Sequence, residues 1–149
     1  MFRISKKVEY ALMALQYLAR NSDQKHSAKQ LSENLEISFE FLAKALQTLM
    51  KNGIVVSQQG IKGGYSLSRP AESISISEVI RAMEENLNVV DCLASNVDEC
   101  CSRSNECTIK TPLSFLQDKV DSVFHSMTIA DMTNHKIVTD QTGLSRELA

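Results

Sequence analysis

The residues best suited to chemistry stand close together. Cys92, Cys100, Cys101 and Cys107 fall within sixteen residues and are all the cysteines of the chain. None of them forms a CxxC pair. Structural zinc sites and thioredoxin-like redox sites usually show that pair, so both readings weaken. The N-terminus, Met1-Phe2-Arg3-Ile4-Ser5-Lys6-Lys7, lacks a secretory apolar run, and no window approaches the roughly 18 apolar residues needed to span a bilayer. A cytoplasmic protein with no membrane partner is therefore expected, and in that reducing compartment structural disulfides are poor candidates. What remains is a set of soft sulfur donors on a polar loop, suited to iron and bridging sulfide, with free thiols as the alternative. Nothing else resembles a reactive constellation. The chain shows no nucleophile–base pair, phosphate-binding loop or acidic pair, so no enzyme is expected. His26, His125 and His135 lie outside the cysteine segment and read as ordinary surface or helix residues.

The elements that must position these thiols follow from periodicity. Val8, Ala11, Leu12, Leu15, Leu18 and Ala19 recur at helical spacing, and Asn21-Ser22-Asp23 breaks the pattern. Ser27 and Gln30 have the form of a capping box opening a short helix through Leu31 and Leu35. Ser38 is placed to cap a third helix with Leu42, Ala45, Leu46, Leu49 and Met50 as its buried face, and Gly53 to end it in a left-handed conformation. Ile54-Val55-Val56 and Tyr65-Ser66-Leu67-Ser68, joined by a glycine-rich connection, then predict a two-stranded hairpin. Helix, helix, turn, helix, hairpin is the order of a winged helix-turn-helix.

Beyond Arg69-Pro70, Ser75 and Glu78 form a second capping box before Ile76, Val79, Ile80 and Met83. Thr111-Pro112 offers an N-cap followed by proline for a long helix, in which Leu113, Leu116, Val120, Val123, Phe124 and Met127 make a near-heptad seam. The seam suits packing against a twin subunit; burial within one chain is the alternative. Thr128-Ile129-Ala130-Asp131 resembles a further cap. The expected fold is mainly α with a small β-hairpin. Residues 1–70 would form a winged helix-turn-helix domain, 71–135 the cysteine loop and dimerisation helices, and 136–149 a polar tail.

Charge divides at the same boundary. Residues 1–70 hold ten Lys/Arg against five Asp/Glu, and residues 71–149 hold six against thirteen. The overall −2 thus conceals a basic half facing phosphates and an acidic body.

Several segments carry a family resemblance: Glu9-Tyr10-Ala11-Leu12, Leu49-Met50-Lys51-Asn52-Gly53-Ile54-Val55, the run Gly60-Ile61-Lys62-Gly63-Gly64-Tyr65-Ser66-Leu67-Ser68-Arg69-Pro70, Ile74-Ser75-Ile76-Ser77-Glu78-Val79-Ile80, and the cysteine loop. From Ile4 to about Met132 the chain resembles the Rrf-type winged-helix regulators, in the branch containing IscR, NsrR and the regulators of SUF assembly operons. The resemblance implies a homodimer on a palindromic operator in double-stranded DNA. It implies a recognition helix presenting Ser38, Phe39, Glu40, Ala43, Lys44 and Gln47. It also implies a wing in which Gly60, Gly63 and Gly64 let the backbone approach the duplex while Lys62 enters the minor groove. The family wing often reads Gly-Pro-Gly-Gly; Gly60-Ile61-Lys62-Gly63 departs from it, which predicts a more mobile wing and a different operator preference.

The resemblance further implies an iron–sulfur cluster, 2Fe-2S in first place and 4Fe-4S as the alternative. Cys101-x5-Cys107 has the family spacing, whereas the eight residues between Cys92 and Cys101 exceed the five common in IscR and NsrR and are closer to the SUF-regulator pattern. Cys92, Cys101 and Cys107 are the expected ligands, with Cys100 as the alternative. IscR carries a histidine three residues after its last cysteine, where this chain has Lys110. In NsrR an acidic residue of the partner's first helix completes the site, and Glu9 matches that place. The implied function is control of iron–sulfur assembly or iron-homeostasis genes. A nitric-oxide-responsive repressor and a cluster-free thiol-redox regulator are the competing readings.

Overall fold

The apolar stripe of the first helix is buried as its spacing requires. The computed structural model describes residues 3–84, 88–93 and 106–134. The elements run α1 (Lys6–Arg20), α2 (Ala28–Leu35), α3 (Phe39–Lys51), β1 (Val55–Gln58), β2 (Gly64–Leu67), α4 (Ile76–Met83), α5 (Lys110–Ser126) and α6 (Ile129–Asn134). Short 3-10 turns lie at Ala71–Ser73 and Asp91–Leu93. The class is the expected one, mainly α with one small hairpin. No helix among the described residues is long and apolar enough to cross a membrane.

Val8, Ala11, Leu12, Ala14, Leu15 and Leu18 are buried, and α1 packs against α2, α3, α4, α6 and β2. The Ser27–Gln30 capping box forms at the start of α2. Glu36 ends that helix with φ 54°, a left-handed conformation that turns the chain so that buried Ile37 leads into α3. Leu42, Ala45, Leu46 and Leu49 then form the inner face of α3. Met50, expected among them, is 38% exposed instead. At 100° per residue it lies about 80° round from Leu42, at the rim of the stripe, and its sulfur accepts the Ser57 hydroxyl at 3.2 Å. Gly53 adopts φ 70°, with Gly53 N–H donating to Met50 O and Ile54 N–H to Leu49 O, a Schellman ending.

The hairpin is antiparallel, from Val55↔Leu67 to Gln58↔Gly64. Its other edge is held by His26, whose backbone exchanges two bonds with Tyr65, at 3.2 and 2.8 Å. Past Pro70 the chain returns to the same core. Ile74, Ile76, Val79, Ile80 and Ile129 join the cluster built by α1 and α3. Ile76 N–H donates to Met127 O at 2.8 Å and Ile129 N–H to Ile74 O at 2.9 Å, so the end of α5 is stitched to the start of α4. The Ser75–Glu78 box forms as expected, and Thr128 with Asp131 caps α6.

α5 differs from expectation at its start. The helix begins at Lys110 with Ile109 in the N-cap position, so Thr111 and Pro112 lie inside the first turn. Pro112 is harmless there, because first-turn N–H groups have no helical acceptor. Of the expected seam, Phe124 and Met127 pack against the chain's own core, Leu113 and Val120 are half-buried, and Leu116 and Val123 are exposed. The polar tail from residue 136 lies outside the described residues.

Candidate nucleic-acid interface and cysteine segment

α3 offers an outward stripe opposite its buried face. Glu40, Lys44, Gln47 and Lys51 are exposed and fall within about 60° of arc at helical spacing. Ser38 occupies the N-cap position, yet its hydroxyl makes no capping bond. The exposed Ser38 hydroxyl stands at a helix N-terminus, where a phosphate is favoured. Phe39 and Phe41 are both exposed beside them, and Ala43 is half-buried. Phe41 leans toward Tyr10 of α1 at 6.5 Å between ring centroids, and the Lys6 ammonium lies 6.0 Å from the Tyr10 ring. Sequence reading passed over Phe41 and Lys51, although Lys51 extends the Lys44–Gln47 spacing by one more turn.

The wing shows why its glycines are needed. A Cβ on Gly63 would come 2.2 Å from Gln58 O, and one on Gly64 would come 2.6 Å from the His26 backbone. Gly60 adopts φ 119° and accepts from Gly63 N–H at 2.9 Å, closing the turn whose central residues are Ile61 and Lys62. The loop is closed at its tip, and the His26 bonds join β2 at Tyr65, one residue from the Gln58–Gly64 pair that borders the loop. Lys62 is exposed and, with Lys25, Gln30 and Gln58, lines a polar cleft of about 520 Å³ between the wing and the α1–α2 connection. His26 has a structural place that its sequence context did not suggest. Its ring meets Tyr17 edge-on at 5.1 Å, and its Nε2 is buried without a hydrogen-bond partner among the described residues.

The wing also touches the end of α3. Arg69 Nη1 and the Ser68 hydroxyl both donate to Gly53 O, while Arg69 Nη2 pairs with Glu78 Oε1 of α4 at 2.5 Å. Recognition helix, wing and α4 therefore share one polar joint. The Ser75 backbone N–H, the Arg69 guanidinium and the Ser75 hydroxyl hold the Glu78 carboxyl below its ordinary pKa, against a smaller opposing effect of burial.

Of the cysteines, Cys92 and Cys107 are described; Cys100 and Cys101 lie outside the described residues. Cys92 sits in the 3-10 turn and Cys107 three residues before α5, both as half-buried free thiols. Val89 N–H donates to Gln117 Oε1 of α5 at 2.7 Å, so the segment leading to Cys92 is bonded to the helix that Cys107 precedes. Among the described residues no three potential metal donors converge. Glu9 is exposed on α1, with its carboxylate 2.7 Å from Lys6 Nζ; that hydrogen bond and charge hold the Lys6 ammonium above its ordinary pKa. Glu9 also borders a groove of about 340 Å³ with Ile4, Leu12, Met13, Gln16 and Met132. Lys110 opens α5.

A helix-turn-helix with an exposed basic stripe, joined to a hairpin whose tip carries a cation, defines a winged-helix DNA-binding regulator. The comparisons agree. The Rrf2 family, described as iron-dependent transcriptional regulators, matches residues 4–135, and the chain belongs to that family. It is 30% identical over 139 residues to the HTH-type transcriptional regulator IscR of Yersinia pseudotuberculosis, covering 93% of this chain and 83% of that protein. Its fold is similar to that of CymR, the global cysteine regulator of B. subtilis, with a TM-score of 0.75, 24% identity and coverage of 91% and 99%. It is also similar to that of T. potens IscR, with a TM-score of 0.68, 23% identity and coverage of 97% and 93%. These relatives are transcription regulators and not enzymes.

Proposed function

We propose that the protein is a homodimeric regulator that binds a palindromic operator through α3 and the wing and senses through an iron–sulfur cluster. Its targets are genes of cluster assembly or iron homeostasis, and it acts in the cytoplasm. Cys92, Cys101 and Cys107 would hold the cluster, 2Fe-2S before 4Fe-4S, with Glu9 of the partner subunit as the non-cysteine ligand. The observation that carries this reading is the position of Cys92 and Cys107. Both are free, half-buried thiols at the two rims of one cysteine-bearing segment, and both rims adjoin α5. Thiolates of this kind fit iron, and a carboxylate as the remaining ligand would leave one iron open to nitric oxide or oxygen. When bound, the cluster supplies a redox- and iron-sensitive cross-link between the rims of the segment. The chain's own residues link that segment to the reading head. α4, which precedes it, carries Glu78, and Glu78 grips Arg69 at the joint with the recognition helix and wing.

Anaerobic purification with absorption spectra and iron and sulfide counts tests the reading. Visible sulfur-to-iron bands are expected, lost in Cys92→Ser, Cys101→Ser and Cys107→Ser but retained in Cys100→Ser. Glu9→Ala should keep fold and dimer while making the cluster more labile in air. The fold likeness to CymR supports a second reading, a thiol-based regulator without a cluster. Colourless protein from anaerobic cells, with operator binding that follows thiol oxidation, is the outcome that would establish it.

A further inference from the structure

The tip of the wing carries a side chain that folding does not explain. Ile61 is 106% exposed relative to an extended reference, more than any other large apolar residue described. A single exposed aliphatic is ordinary; the way this one is mounted is not. Ile61 and Lys62 are the two central residues of a turn closed by Gly63 N–H to Gly60 O at 2.9 Å. Gly60 supplies the positive φ of 119° that the turn needs, and Gly63 the missing Cβ that would meet Gln58 O. His26 holds β2 at Tyr65, next to the Gln58–Gly64 pair that borders the loop. An apolar branched side chain and an ammonium are thus held next to one another at the end of a preorganised hairpin, on the half of the chain with a net positive charge.

We infer that Ile61 and Lys62 form a minor-groove reading tip that selects A·T pairs flanking the core of the operator. The inference rests on the assignment of α3 and the wing as the DNA interface. Lys62 supplies the attraction, since the narrow minor groove of A·T tracts concentrates negative potential. Ile61 supplies the selection by exclusion. A·T and T·A pairs present only acceptors on the groove floor, whereas G·C adds the guanine amino group. An aliphatic chain seated there cannot accept from that amine and strips it of water, leaving a donor unsatisfied. The two residues divide the work, charge giving affinity and shape giving sequence preference.

Selection of duplexes from a random-sequence library by the wild-type protein supplies the site. Synthetic duplexes then carry that site with flanking A·T, G·C or inosine·C pairs, the last having the major-groove face of G·C without its minor-groove amine. Flanking G·C should bind about tenfold more weakly than A·T, and inosine·C should restore most of the loss. Ile61→Ala, whose side chain packs on nothing, should bring the G·C and A·T affinities together. Lys62→Ala should keep their ratio but reduce the salt slope of binding by about two, one for each subunit of the dimer. Equal weakness of G·C and inosine·C, or a ratio that survives Ile61→Ala, would overturn the inference while leaving the DNA-binding assignment intact. A library that yields no enriched site would overturn that assignment and the inference with it.

Discussion

Glu78 accepts from the Ser75 backbone and hydroxyl through one oxygen and pairs with Arg69 through the other, so it both caps α4 and holds the wing's exit. Because its folded pKa is lowered, the charged form stabilises the fold above the ordinary carboxylate range, and that contribution is lost as pH falls through the folded value. Glu78→Gln can still cap, so it isolates the charge. Urea unfolding should show wild type more stable than Glu78→Gln at neutral pH, with the gap closing in acid; the side chain is 43% exposed, which keeps the gap modest. A gap that persists unchanged in acid would assign it to packing. Lys44 acts differently, as a solvated cation on the reading stripe. Lys44→Ala should weaken operator binding at every sequence and lower the salt slope by about two, one for each subunit of the proposed dimer, measured by titration at several salt concentrations, with the fold unchanged.

At the scale of elements, the apolar seam of α5 is divided between the chain's own core and solvent. Phe124 and Met127 pack against the core of their own chain, while Leu116 and Val123 are 46% and 48% exposed, with Phe115 exposed on the same helix and Ile109 exposed at its N-cap. Charge placed at the exposed pair meets only water in a single chain, but an unpaired charge in a buried subunit interface costs several kcal/mol, about 3–5 kcal/mol by analogy with broken buried pairs. The double substitution Leu116→Asp and Val123→Asp is therefore expected to keep the helical spectrum and yield monomers in sedimentation. A stable dimer from it would place the subunit contact elsewhere. Phe124→Asp, by contrast, should destabilise the chain itself.

The whole molecule is organised around α1. Leu15 is fully buried and its helix touches elements from both sides of Pro70. Leu15→Ala should cost about 2–5 kcal/mol. Because Ile74, Val79 and Ile129 share the cluster with Leu42 and Leu46, unfolding in urea should remain one transition; two transitions would show that the basic and acidic halves fold separately. The charge division acts at this scale as well. The overall charge is negative, so operator affinity must come from the segregated basic half and should fall steeply with added salt.

The order of helices and hairpin, the three capping boxes and the Gly53 ending were legible in the sequence, because each depends on residues within four or five positions of one another. The buried face of α3 was legible for the same reason, as a helical period, whereas its outward residues followed from the family resemblance. Met50 and the start of α5 were misplaced by local pattern, since the rim of a buried stripe and the first turn of a helix are settled by what packs nearby. Long-range contacts were beyond local pattern altogether. The edge bonding of His26 to the wing, the Arg69–Glu78–Gly53 joint, the stitching of residues 127–129 to α4 and the split of the α5 seam all join residues far apart in the chain. The sequence by itself determined which local structures form and which residue types each segment carries, cations along α3 and the wing and thiols between residues 92 and 107. The tertiary structure alone decided which faces remain in water, because exposure is a property of the packed whole and not of any window along the chain.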